Sequence, residues 1–120
     1  MPGMPRFEKS SASLVARFDA TLGAFGAPDV TRRQMFGYPC AFVGGHMTTG
    51  LFAESWFVRL DDAGLDEALR LPGGRPFAPM PGRPMRGYAV LPDTVVSDDA
   101  AVAAWVARSI AFARTLPPKE

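Results

Sequence analysis

Apolar residues recur at helical spacing near both ends of this chain of 120 residues and at strand spacing between them. The first helical pattern covers Ser10–Phe25, with serines before its apolar positions and Gly26 after them. A serine can accept the first free amide hydrogens of a helix, and a glycine can take the left-handed conformation that ends it. The last helical pattern starts at Ser97 and stops before Pro117. We therefore predict an amphipathic helix at each end, the second one capped by Ser97.

Residues Val30–Leu60 form short runs rich in Val, Phe, Trp and Thr, which are typical of antiparallel strands. The glycine pair at 44–45 marks the expected tight hairpin. Asp61 and Asp62 can cap a brief helix that must end at Pro72. This order predicts an α+β domain of two layers, a small antiparallel sheet on which an N-terminal, a short middle and a C-terminal helix pack.

The apolar faces of these helices and strands are expected to meet in one hydrophobic core. Each helix and the strand region should contribute side chains to it. Its predicted members are Leu14, Phe18, Leu22, Phe42, Phe57, Val58, Leu69, Trp105, Val106 and Ile110.

The segment Pro72–Pro92 holds six of the 12 prolines of the chain. Prolines and glycines at this density favour an irregular loop, with short strand pieces near Phe77 and from Tyr88 to Leu91. Because the segment also carries aromatic and methionine side chains, we expect it to face the core rather than to be disordered.

Length and charge exclude several classes of protein. A chain of 120 residues that is 48% hydrophobic is expected to form one domain over residues 1–120, with residues 1–9 flexible. A net charge of +1 gives no field toward DNA or an anionic membrane, so we expect neither sequence-specific nucleic-acid binding nor a membrane partner. No apolar run reaches a membrane span or a signal-peptide core, and a single cysteine suits a reducing compartment. The predicted location is cytoplasmic.

Few residues offer chemistry for catalysis or for a metal. His46 is the only histidine, and no spacing supplies the carboxylate or nucleophile that acid–base catalysis needs, so it is either a turn residue or a ligand contact. Cys40, the only cysteine, is expected to be a buried apolar residue. Zinc needs three or four ligands, which these two cannot supply. We therefore predict no catalytic residue, no metal and no cofactor.

Arginines gather in the proline-rich segment and form the candidate binding site. Arginine side chains on a stiff loop could contact phosphate or an acidic partner. The opposite interpretation is that they are solvated charges or pair with Asp61, Asp62 and Glu67. The candidate residues are Arg75, Arg83 and Arg86 of this segment, together with Met85 between the last two and Arg59, which could join them in space.

Short motifs along most of the chain resemble those of the TfoX amino-terminal domain family. The resemblance rests on Met35-Phe36-Gly37-Tyr38-Pro39, on Ala41 to Met47, on Gly50-Leu51-Phe52, on Pro76 to Met85 and on Gly87 to Pro92. It implies a two-layer α+β fold and a link to proteins whose longer members regulate natural competence genes. Those members carry a second, carboxy-terminal domain, and from the length of 120 residues we expect a single-domain member without it. Thr48-Thr49 departs from the pattern, because relatives usually place an apolar residue there.

The absence of a catalytic set favours a non-enzymatic regulatory or protein-binding module with an unknown protein partner. The alternative is a sensor of a small anionic molecule held near the candidate arginines. A two-fold homodimer is also expected, since aromatic side chains in the strand region exceed what one sheet face needs. The segment Pro72–Pro92 could cover that second face instead.

Overall fold

A computed structural model describes residues 9–80 and 82–119, so the predicted flexible start lies almost entirely outside the described residues. The sheet has six antiparallel strands in the order β1-β2-β3-β4-β6-β5. This architecture confirms the predicted α+β class. The elements in chain order are α1 (Ala12–Phe25), β1 (Val30–Met35), β2 (Tyr38–Val43), β3 (His46–Phe52), β4 (Ser55–Arg59), α2 (Asp62–Arg70), β5 (Arg75–Pro76), β6 (Tyr88–Val90), α3 (Asp93–Val96) and α4 (Asp99–Arg114).

Helix ends follow side-chain capping, with one correction to the prediction. The Ser11 hydroxyl accepts a hydrogen bond from the Leu14 amide at the start of α1, and Gly26 ends α1 with a left-handed φ of 56°. The predicted cap of the last helix, Ser97, was wrong. Asp98 caps α4 instead, because its carboxylate accepts from two amides of the first turn, while Ser97 ends the short helix α3.

Helices α1, α2 and α4 pack on one face of the sheet and form the main core with it. That core is built around Phe18 of α1, Trp56 of β4 and Val106 of α4, none of which is exposed to solvent. Leu22 packs at its margin, and the ring of Trp56 lies 5.2 Å from that of Phe18.

The prediction of a single core was wrong, because the sheet separates two apolar clusters. Phe42 and Phe57 belong to a second cluster on the opposite face, where alternate strand residues point. Leu69 belongs to neither cluster and is 38% exposed on α2. The members of the second cluster are Cys40, Phe42, Phe57, Phe77, Tyr88 and Val90.

The segment Pro72–Pro92 covers much of this second face. It contributes β5 and β6 to the sheet edge, and between them Phe77 folds over β4. The Phe77 ring stacks on Phe57 with a centroid distance of 4.2 Å. The chain itself therefore covers much of the second face. This is the arrangement expected if the segment Pro72–Pro92, rather than a second copy, protects that face.

Buried hydroxyl groups explain the departure at Thr48-Thr49. Both side chains are fully buried, and a β-bulge in β3 places Thr48 outside the regular register. The Thr48 hydroxyl donates to the carbonyl of Ala41, and that of Thr49 donates to the carbonyl of Phe57. Thr49 also accepts a hydrogen bond of 2.9 Å from the Trp56 indole. These two threonines are therefore part of the structural interior.

Candidate interaction surface

Large apolar side chains are exposed at one end of the second face. Among the described residues, Phe36 is 81% exposed and Met80 is 62% exposed. Met35 lies beside Phe36 at the end of β1, and both line the same cavity as Pro79, the neighbour of Met80. We call Met35, Phe36, Met80 and the mouth of this cavity the Phe36 surface. It differs from the isolated exposed leucine on α2 because Met35 and Phe36 line a cavity.

The cavity beneath the Phe36 surface has a volume of about 100 Å³ and is lined by apolar side chains alone. Three of these are methionines, whose flexible thioethers adapt to the shape of a bound group. Apolar cavities of about 150 Å³ accept a benzene-sized group, so this one suits an aliphatic side chain. The lining residues are Met35, Phe36, Cys40, Met47, Leu51, Phe52, Phe57, Phe77, Pro79 and Met85.

The backbone at Phe36 is unfavourable for the residue that it carries. Phe36 and Gly37 form the two-residue turn between β1 and β2, with φ values of 55° and 85°. Such hairpin turns prefer Asn-Gly, because both central residues need a positive φ. A bulky side chain in this region is a strong outlier and costs of order 1–3 kcal/mol. The ring of Phe36 is mostly in solvent, so packing within the chain offsets little of this cost.

Four arginines of the candidate binding site do not converge on one point. Arg59 lies half-buried at the end of β4, where its guanidinium lies 5.7 Å from the Tyr88 ring and 5.8 Å from the Phe112 ring. Arg75 is exposed and donates a hydrogen bond of 3.0 Å to the Ser55 hydroxyl, at the start of β4. Ser55 and Arg59 are about 13 Å apart along the strand.

Arg83, Arg86 and Met85 lie in the segment that covers the second face. Arg83 and Arg86 are exposed, and neither side chain has a partner among the described residues. Met85 is partly buried and lines the cavity, and its amide donates to the carbonyl of Phe77 at 2.7 Å. Of the predicted binding residues, Met85 is therefore the one that reaches the Phe36 surface.

His46 and Cys40 occupy structural positions. The His46 Nε2 atom lies 2.7 Å from the carbonyl of Pro117, to which it donates, and its Nδ1 atom lies 3.5 Å from Arg59. Burial raises the pKa of the Cys40 thiol to about 11, so the thiol stays protonated at neutral pH. Ser109, a buried hydroxyl, donates to the carbonyl of Thr48. The His46 ring and the Ser109 hydroxyl are therefore held by backbone carbonyls, whereas the Cys40 thiol is an apolar part of the cavity lining.

Residues 9–80 and 82–119 hold neither a cluster of metal ligands nor a membrane-spanning helix. No group of three or more His, Cys, Asp or Glu side chains in these ranges is arranged to hold a metal ion. No helix in this part of the chain is long and apolar enough to cross a membrane.

Comparison with models of protein families matches residues 21–113 to the TfoX N-terminal domain. The chain belongs to the TfoX N-terminal domain family. The range that matches this TfoX N-terminal domain includes the Phe36 turn, the whole sheet and most of α4. Comparisons with curated proteins and with solved structures gave no match.

Sequence reasoning did not identify Phe36 as the exposed centre of a site in this TfoX N-terminal domain. In the sequence, Phe36 drew notice as part of the motif Met35-Phe36-Gly37-Tyr38-Pro39 and as one of several aromatic residues in the strand region. A Phe-Gly pair between two strand patterns, where Asn-Gly would be ordinary, is the signal that could have found it. The cavity had no such signal, because residues from four strands and from the covering segment form it.

Proposed function

We propose that this TfoX N-terminal domain is a non-enzymatic protein-binding module that contacts its partner through the Phe36 surface. The observation that carries the proposal is the strained, 81% exposed phenylalanine beside an apolar cavity. Backbone strain that packing does not offset is typical of functional positions. A non-enzymatic module of this kind would regulate its partner by binding to it, since it would catalyse no reaction.

The engaged states of the polar residues support the non-enzymatic part of the proposal. The His46 ring is held by a backbone carbonyl, and Cys40 is buried and protonated. An activated nucleophile needs a base within hydrogen-bond distance, and neither residue has that arrangement here.

The alternative, a sensor of small anionic molecules, has weaker support. Such a ligand needs several donors that converge on one anion, whereas Arg59 and Arg75 lie at opposite ends of β4. A screen of phosphorylated and carboxylated metabolites by thermal unfolding tests it. A rise in melting temperature that grows with ligand concentration would favour the sensor over the module.

A partner-capture experiment with Phe36→Asn tests the proposed function. Asparagine tolerates the left-handed conformation, so this variant keeps the turn and removes only the ring. Leu69→Asn is the matched control, because Leu69 is an exposed apolar residue on α2. Each of the three chains is used to capture proteins from a lysate of the source organism. We expect the native chain and Leu69→Asn to retain the same proteins and Phe36→Asn to lose them. Equal retention by all three chains would remove the Phe36 surface from the proposal.

Self-association is a separate proposal, which light scattering at several concentrations decides. The edge strand β1 is exposed along most of its length, which leaves room for pairing with a second copy. The covering of the second face by Phe77 removes the original reason to expect a dimer. A mass near the 12.9 kDa of one chain at high concentration would exclude the dimer.

A further inference from the structure

Charged side chains are sorted between the two sides of the sheet. Each of the five ion pairs among the described residues includes a residue of α1, α2 or α4. Even Arg32 of β1 reaches across to Asp19 of α1. Glu54, between β3 and β4, accepts a hydrogen bond from the Ser11 amide next to α1. The acidic side chains of these ion pairs and of Glu54 therefore bind groups on the helix side of the sheet.

Among residues 9–80 and 82–119, the strands and the segment that form the second face carry positive charge but almost no negative charge. Residues 30–53 and 72–92 contain no aspartate and no glutamate. These ranges supply most of the second face and the segment that covers it. The arginines there that make no ion pair among the described residues are Arg33, Arg75, Arg83 and Arg86. The net charge of +1 for the whole chain conceals this separation.

Three of these arginines, Arg33, Arg83 and Arg86, lie within two residues of a methionine that lines the cavity beneath Phe36. Arg33 lies two residues before Met35 on β1, and alternate residues of a strand share a face. Its guanidinium lies 5.2 Å from the ring of Phe42, which places it on the second face. Arg83 and Arg86 lie two residues before and one residue after Met85, which lines the same cavity from the segment between β5 and β6.

We propose that the Phe36 surface binds an acidic segment of a different protein, with an apolar side chain in the cavity and carboxylates on Arg33, Arg83 and Arg86. This inference rests on the proposed function and specifies the chemistry of the partner. Opposite charge around an apolar centre is the usual pattern of complementary interfaces, in which arginine and methionine are enriched.

Two other occupants fit the observations less well. A second copy of this chain would bring arginine against arginine, since a two-fold interface places the same patch on both sides. A nucleic-acid base presents hydrogen-bonding edges, and a cavity lined by apolar side chains would leave these edges unpaired. An aliphatic side chain has no such requirement.

A display library of random peptides tests the proposal. It is selected on the whole native chain and counter-selected on Phe36→Asn, so that only peptides that need the Phe36 ring remain. We expect these peptides to combine an apolar residue with neighbouring Asp or Glu. Exchange of the carboxylates of a selected peptide for amides is expected to weaken binding about tenfold.

The arginines are tested on the protein side with the same peptide. The double variant Arg83→Glu with Arg86→Glu is expected to lose the preference for carboxylates, and Arg33→Glu to weaken it. Arg70→Glu is the matched control, because Arg70 is exposed on α2 and outside the second face. It should leave the preference unchanged.

Each contrary result has its own meaning. Peptides that need Phe36 but show no acidic preference would overturn this inference and leave the protein-binding function standing. A library without any Phe36-dependent peptide would overturn both. A labelled single-stranded oligonucleotide that binds more tightly than the selected peptide at moderate salt, through the same arginines, would assign the face to nucleic acid and overturn the inference.

Discussion

The ring of Phe77 lies almost parallel to that of Phe57, with centroids 4.2 Å apart and planes inclined by 10°. One ring belongs to the proline-rich segment and the other to β4, so this contact fixes the segment on the second face. Both residues are at most 4% exposed. The contact therefore supports the floor of the cavity beneath Phe36 as well as the second apolar cluster.

Substitution of Phe77 by alanine is expected to lower the free energy of unfolding by about 3–5 kcal/mol, because a buried aromatic ring leaves a large cavity. Urea titration followed by circular dichroism measures the change. Met80→Ala, an exposed position in the same segment, should stay within about 0.5 kcal/mol of the native chain. A loss below about 1 kcal/mol for Phe77→Ala would show that the segment does not cover the second face.

Gly50 provides a second test of how the second face packs. A Cβ atom at Gly50 would lie 2.6 Å from the Cys40 sulfur and 2.7 Å from the Phe57 ring. Gly50→Ala should therefore destabilise the chain by about 1–3 kcal/mol through overpacking. Adding Cys40→Ala should recover part of this loss, because it removes one of the two obstacles, and the pair should show non-additive energies in a double-mutant cycle.

Gly23 is the control for this pair of substitutions. It lies within α1, and a Cβ atom added there would have no neighbour within 4 Å, so Gly23→Ala is expected to stabilise by about 0.5–1 kcal/mol. Strictly additive effects of Gly50→Ala and Cys40→Ala would contradict the packing of the second face.

Stability should fall at alkaline pH because of Cys40. Burial raises the pKa of its thiol from 9.0 to about 11. Between these values the unfolded chain loses the thiol proton and the folded chain retains it, so the free energy of unfolding decreases as pH rises. Cys40→Ala is expected to flatten this decrease. Burial also raises the pKa of Tyr88. Tyr88→Phe is therefore the companion variant, because it removes the contribution of Tyr88 to the pH dependence of stability. An unchanged pH dependence in Cys40→Ala would exclude the thiol as the source.

Much of the fold could be predicted from the sequence because its signals are local. Ser11 and Gly26 bound α1 through capping that depends on neighbouring residues alone. The glycine pair at 44–45 likewise forms the hairpin between β2 and β3 with positive φ values.

Long-range features could not be predicted in the same way. Period-two alternation shows which residues of one strand share a face, but it does not tell which face the helices cover. The strand pattern therefore could not separate the cluster of Phe42 and Phe57 from that of Trp56. Ser97 and Asp98 are both good capping residues, and the turn of α3 before them decides between the two.

The sequence holds only a local signal for the candidate site. Met85 was proposed as a binding residue from its place between arginines; it lines the cavity, and its binding role stays a prediction. The separation of Arg59 from Arg75 depends on strand order, since β6 lies between β4 and β5. Whether the arginines bind a partner stays a prediction.

Phe36→Asn is expected to raise the free energy of unfolding by about 1 kcal/mol, because asparagine adopts the left-handed conformation at lower cost than phenylalanine. Thermal and urea unfolding measure it. A substitution that raises the stability of the chain and weakens its binding is the usual sign of a residue retained for function. A clear loss of stability in Phe36→Asn would mean that the ring serves packing within the chain.

Photo-cross-linking from position 36 shows whether the Phe36 surface binds a protein in the cell. A photoreactive phenylalanine analogue replaces Phe36 in one chain and the exposed Leu69 in a control chain, and both are irradiated in living cells of the source organism. We predict a discrete adduct with another protein from position 36 and none from position 69. The adduct should disappear when unlabelled native chain is supplied in excess and persist with excess Phe36→Asn. No adduct from position 36, or the same adducts from both positions, would rule out the Phe36 surface as the binding site.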